Sequence, residues 1–168
     1  MTDGFAEPGA PVHRLPHAED YVTGAVHSLG AHRVTAEEIV SFARSYDPQP
    51  YHLDAQAGAA SFFGGLVASG WHTGAIWMGL YVRAMLEGAK VEGSPGLESL
   101  RWHAPVRPGD VLHGRCEVGE IVPNPFRKDL VTVKKLGSLL REGETKPVMT
   151  LVLLARMLRR PASTDPTR

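Results

Sequence analysis

The sequence predicts an α+β fold in which an antiparallel sheet wraps around one long buried helix. Three observations lead there. Helical patterns gather in the first half of the chain, and strand patterns fill the second. The stretch from Ser69 to about Gly88 is apolar nearly all round, through Ile76, Trp77, Met78, Leu80, Tyr81, Val82, Met85 and Leu86, which predicts burial on most sides. The last strand-like run, "PVMTLVLLARML", is almost continuously apolar, as in a central strand covered on both faces.

The elements follow in order. "MTDGFAEPGAPVHRLPHAEDY" is rich in Pro, Gly and Ala, so residues 1–20 are expected to be flexible, with a strand over 21–34. It lacks a basic stretch followed by an apolar run and does not read as a signal peptide. In "TAEEIVSFARSY", Thr35 and Glu38 predict a capping box, and Ile39, Phe42, Ala43 and Tyr46 share one face. Asp47 before Pro48 ends that helix. Asp54 caps a second short helix in "AQAGAASFFGG", which Gly64-Gly65 stops. On the long helix, the small residues Gly70, Gly74, Ala75 and Gly79 allow close packing. The strands are then "LESLRWH", "VLHGRCEVGEIV", "LVTVKKLGSLL" and "PVMTLVLLARML", with Pro108-Gly109 as a turn signal. Residues 21–160 are expected to form one domain, and 161–168, "PASTDPTR", a flexible tail.

Bulk properties exclude several classes. Lys plus Arg and Asp plus Glu both number 18, so the zero net charge gives no footprint for nucleic acid or an anionic membrane. The single cysteine, Cys116, rules out an intrachain disulfide and a two-cysteine metal site, and a reducing, cytoplasmic setting is expected. The apolar stretch over 66–86 is broken by Ser69, His72, Thr73, Arg83 and several glycines, unlike a membrane span. Of the seven histidines other than His52, none pairs with cysteine or carboxylate at ligand spacing, so no metal and no other cofactor is expected.

One segment carries more than a turn requires. "SYDPQPYHLD" sets Asp47 and His52 around two prolines, Pro48 and Pro50, each of which fixes its own φ. Together with "LVASGWHTGAIW" and "RWHAPVRPGD", it resembles the MaoC-like hydratase/dehydratases, whose best-known members are R-specific enoyl-CoA hydratases. The family pattern Gly-Asp-x-Asn-Pro-x-His-x-Asp is met in register by Asp47, Pro50, His52 and Asp54. Tyr46 replaces the usual Gly and Gln49 the usual Asn. The family's Ala-His-Gly appears as Ala68-Ser69-Gly70. The resemblance covers residues 21–159 and implies a hotdog fold.

It also implies a chemistry: reversible hydration of a trans-2-enoyl-CoA, or an enoyl-acyl carrier thioester, to the (R)-3-hydroxyacyl thioester. Asp47 and His52 would share one water and its protons, with the assignment of acid and base left open, and the prolines would hold the pair in place. The Gly70 N–H would polarise the thioester carbonyl, with Ser69 and Gln49 as further oxyanion or substrate-binding residues. Phe63, Trp71 and Trp77 are candidate pocket walls, with the core as the other reading of Trp71 and Trp77. Arg101, Arg107, Lys134, Lys135 and Arg156 are candidates to meet the phosphates of coenzyme A. A homodimer, or a higher oligomer of dimers, would cover the open face and edge of the sheet. The rival readings are a hotdog acyl-CoA thioesterase and a non-catalytic acyl-thioester-binding protein.

Overall fold

A computed structural model describes residues 12–161 of the chain. Its body is one antiparallel sheet in the order β1-β3-β4-β5-β2, built from β1 Val26–Arg33, β2 Gly96–Trp102, β3 Val111–Pro123, β4 Leu130–Arg141 and β5 Pro147–Leu158. The α-helices lie between β1 and β2: α1 Ala36–Tyr46, α2 Pro50–Leu53, α3 Ala55–Ala60 and α4 Gly70–Tyr81, the last continued by a π-helical turn, Val82–Leu86. The sheet closes on α4, which is the hotdog arrangement.

Shape complementarity seats α4. Trp77 is fully buried, stacks on Tyr81 at 5.0 Å and donates its indole N–H to the Arg115 carbonyl at 3.0 Å. Gly137 on β4 makes room for it, because a Cβ there would overlap the indole. Trp77 is therefore core, not pocket wall. Burial is also one-sided where the sequence suggested otherwise. Trp71, Ala75, Met78 and Val82 form an exposed apolar stripe along α4. On β5, Val148, Leu151, Leu153 and Ala155 are buried, whereas Thr150, Val152 and Leu154 are only half-buried. Its continuous apolar run is covered fully on one face alone.

At α1, Thr35 caps as expected, its Oγ1 accepting from Glu38 N at 3.2 Å. The reciprocal half of the capping box does not form, because the Glu38 carboxylate accepts from His32 Nε2 on β1 at 2.9 and 3.1 Å. His72 Nε2 on α4 stands 4.0 Å from the same carboxylate, and Phe42 stacks on its ring. Burial opposes ionisation of Glu38, but the two histidines and the Thr35 contact outweigh it and hold its pKa low. This cluster ties α1 to β1 and to α4. Tyr46 departs from its predicted apolar face and is exposed, and α3 stops at Ser61, before the glycine pair.

β1 begins at Val26, later than expected, because Tyr21 turns into the core. Within the stretch 12–20, Ala18 is buried and His13 N–H donates to Ala84 O at 2.6 Å, so this part packs on the body. The rest of the expected flexible ends, 1–11 and 162–168, lies outside the described residues.

Lys135 corrects the phosphate expectation. Side chains alternate along a strand, and Lys135 shares the inward parity of Val131, Val133 and Leu139. It is fully buried, whereas its neighbour Lys134 faces out and pairs with Glu98 at 2.9 Å and Glu120 at 3.4 Å. Among the described residues, no helix is long and apolar enough to cross a membrane.

Candidate active site

Asp47 and His52 are brought together by local backbone chemistry. Pro48 pushes Asp47 out of the helical region, to φ −154° and ψ 70°, and so ends α1. Pro50 then occupies the first turn of α2, where its missing N–H costs nothing. One helical turn, closed by Asp54 N–H to Pro50 O at 3.1 Å, carries the His52 ring back toward Asp47. This single-turn helix was not anticipated, since four residues are too few to show a period.

The carboxylate is held from both sides. Asp47 Oδ1 accepts from Gln49 Nε2 at 2.8 Å, and Oδ2 accepts from Ser69 Oγ at 2.7 Å. The Ser69 hydroxyl is the main cause of a lowered Asp47 pKa; partial burial works against it, and Gln49 and the nearby His52 add to it. Asp47 is therefore ionised at neutral pH. His52 is buried, and its Nδ1 lies 2.7 Å from the Val67 carbonyl. A carbonyl only accepts, so Nδ1 carries the proton and, in the neutral ring, Nε2 presents a lone pair. That lone pair faces Asp47 Oδ2 across 3.5 Å. Two acceptors converge on one point, which suits a molecule that donates to both.

At the head of α4, Ser69 is the N-cap and accepts from Trp71 N at 3.2 Å while it donates to Asp47. It is wholly buried, with its hydroxyl engaged by both of these partners. Gly70 follows in the first turn, where an N–H has no partner within its own helix. Trp102, at the end of β2, donates its indole N–H to Gly70 O at 2.8 Å and lies flat over the glycine. A Cβ at position 70 would sit 2.6 Å from Trp102 Cε2. Glycine is needed here for a ring of the protein itself rather than for open space. Gly70→Ala is expected to displace Trp102 and cost about 2 kcal/mol, measured by urea unfolding together with the shift in tryptophan emission.

These groups line a cleft of about 380 Å³. Asp47, Gln49, His52 and Gly70 reach it, and Tyr51, Phe63, Trp71 and Trp102 wall it. Tyr51 and Trp102 were not singled out in the sequence, although both fall inside the segments that carry the resemblance. Of the candidate phosphate ligands, Arg107 is engaged with the Phe63 carbonyl and steadies the cleft wall. Among the described residues, no group of three or more His, Cys, Asp or Glu is placed to hold a metal ion.

A curved sheet closed on a helix, with an Asp/His pair at that helix's head, defines a hotdog protein with a largely apolar cleft beside its central helix. The chain belongs to the MaoC-like domain family, which it matches over residues 22–138. The crystal structure of a MaoC-like dehydratase from Rhodospirillum rubrum aligns with a TM-score of 0.79 at 38% identity, covering 86% of this chain and 98% of that one. A 3-hydroxybutyryl-CoA dehydratase of Methylorubrum extorquens is 29% identical over 140 residues, 80% of this chain and 84% of the relative. An (R)-hydratase from A. caviae involved in PHA biosynthesis aligns with a TM-score of 0.64 at 25% identity, over 83% of this chain and 99% of that one.

Proposed function

We propose that this protein is a hydro-lyase that reversibly hydrates a trans-2-enoyl thioester, with coenzyme A as the carrier, to the (R)-3-hydroxyacyl thioester. The observation that carries the reading is the convergence of Asp47 Oδ2 and His52 Nε2, 3.5 Å apart, in the cleft that the Gly70 amide also lines, with His52 Nδ1 engaged by the Val67 carbonyl. One water donates a hydrogen bond to each. Asp47, its pKa held low, is a weak base, so His52 Nε2 takes the proton as the water oxygen bonds to C3. The C2=C3 electrons move toward the thioester oxygen, which the Gly70 N–H and the positive end of α4 stabilise. Asp47 meanwhile stabilises the imidazolium. His52 then returns the same proton to C2, so one water is added in full and the enzyme is restored. The R configuration is taken from similarity to the (R)-hydratase.

The departures from the family pattern leave this site open. Tyr46 points to solvent, and Gln49 reaches back to Asp47 rather than crowding it. A second copy of the chain would cover the Trp71, Ala75, Met78 and Val82 stripe and the outer edge of β2, which supports a homodimer. The neutral charge balance and the single buried thiol of Cys116 suit a cytoplasmic enzyme.

The test is to mix purified protein with crotonyl-CoA and follow both the conjugated enoyl absorbance and free thiol. Loss of the enoyl signal without thiol release supports the hydratase. Thiol release would make the protein a thioesterase. No change in either channel, across a panel of enoyl-CoAs that nonetheless bind, would leave a binding protein.

A further inference from the structure

The Gln49 amide has a defined orientation. The Asp47 carboxylate can only accept, so Gln49 must offer it Nε2, and this turns Oε1 toward the Tyr51 hydroxyl. An amide oxygen accepts, so Tyr51 donates. The Tyr51 ring is itself fixed, edge-on to His52 with centroids 4.5 Å apart and against Phe63 at 5.1 Å. A path of donors therefore runs from the ring that touches one half of the dyad, through Gln49, to the carboxylate of the other half.

Gln49 is exposed and sits on a long, freely rotating side chain. A single bond to Asp47 would compete with water and with the many rotamers open to glutamine. The second bond, to a hydroxyl on an immobile ring, selects one rotamer and one amide orientation. With Oδ1 occupied by Gln49, the oxygen that faces His52 is Oδ2.

From this geometry we infer that Tyr51 is a positioning residue: its hydroxyl locks Gln49, and Gln49 holds the Asp47 carboxylate at the rotation in which Oδ2 meets the water shared with His52. The inference rests on the hydratase reading and adds a working part to it. Gln at 49 and Tyr at 51 act as a pair, the hydroxyl fastening the longer amide that stands where the family pattern has Asn.

The test uses Tyr51→Phe, which keeps the ring contacts, Gln49→Ala and the double variant. The kcat for crotonyl-CoA hydration is measured in each. The Asp47 carboxyl is titrated by ¹³C NMR in the unliganded proteins, with its signal assigned by Asp47→Asn. Tyr51→Phe is expected to lower kcat by about three- to tenfold with little change in KM. It should also raise the Asp47 titration midpoint, because an ionised carboxylate keeps its donor less of the time. Gln49→Ala should do at least as much, and the double variant should match Gln49→Ala alone. An unmoved Asp47 midpoint in Tyr51→Phe and Gln49→Ala, or effects that multiply in the double variant, would overturn the inference. If the wild-type protein hydrates no thioester, the functional reading falls, and the titration still decides for or against the relay.

Discussion

Asp47→Asn and His52→Ala are each expected to reduce hydration of crotonyl-CoA by about 10²- to 10⁴-fold, the usual worth of a positioned proton-transfer group. The two losses have different origins. His52→Ala removes the lone pair that takes the proton from water and returns it to C2. Asp47→Asn keeps the shape but replaces one accepting oxygen with a donor. That amide would meet either the Gln49 amide or the Ser69 hydroxyl, both of which now donate to Asp47. The network must rearrange, and the imidazolium loses its countercharge. Steady-state kinetics on folded variants, checked by unchanged melting, reads both. Because the sites act as a unit, the double variant should be scarcely slower than the worse single one. Survival of either single variant at near wild-type rate would remove that residue from the mechanism.

Lys135→Met is expected to stabilise the protein at pH 6 by several kcal/mol and to do so much less at pH 10. Lys135 is fully buried on β4, its Nζ has no hydrogen-bond partner among the described residues, and it sits 3.2 Å from the centre of the Tyr21 ring. Burial pushes its pKa down from 10.5 to about 7, against a small opposing pull from Cys116. The sign follows from proton counts. Between about pH 7 and 10.5 the unfolded chain binds the proton and the folded one does not, so stability rises with pH through that window. Below pH 7 the full cost is present, on the order of 5 kcal/mol before the Tyr21 ring offsets part of it. For a chain of this size each 1 kcal/mol moves Tm by about 2–4 °C, so melting curves of both proteins at pH 6 and pH 10 suffice. An equal gap at the two pH values would show that burial leaves the Lys135 pKa unshifted, with the proton bound alike in the folded and unfolded chain.

Much of this protein was legible before its structure. The Thr35 and Asp54 caps, the stop at Pro48, the helix that opens at Ser69 and four of the strands rest on contacts within a few residues, which local propensity and period report directly. The pairing of Asp47 with His52 was legible for the same reason, since both lie on one proline-bent segment. The rest depends on elements far apart in sequence. Ser69 reaches Asp47 across 22 positions, and the Val67 carbonyl that sets the His52 tautomer lies 15 away. Trp102 reaches Gly70 from another strand, across 32 positions. Glu38, although only six positions from His32, leaves its cap because the turn from β1 into α1 sets the two side chains together, which no helical period reports. Lys135, read as a surface cation, turned inward by the parity of one strand, and a period of two gives no sign of which face will be the core. Local chemistry is written in neighbouring residues; the orientation of groups that meet across the fold follows only from register and packing.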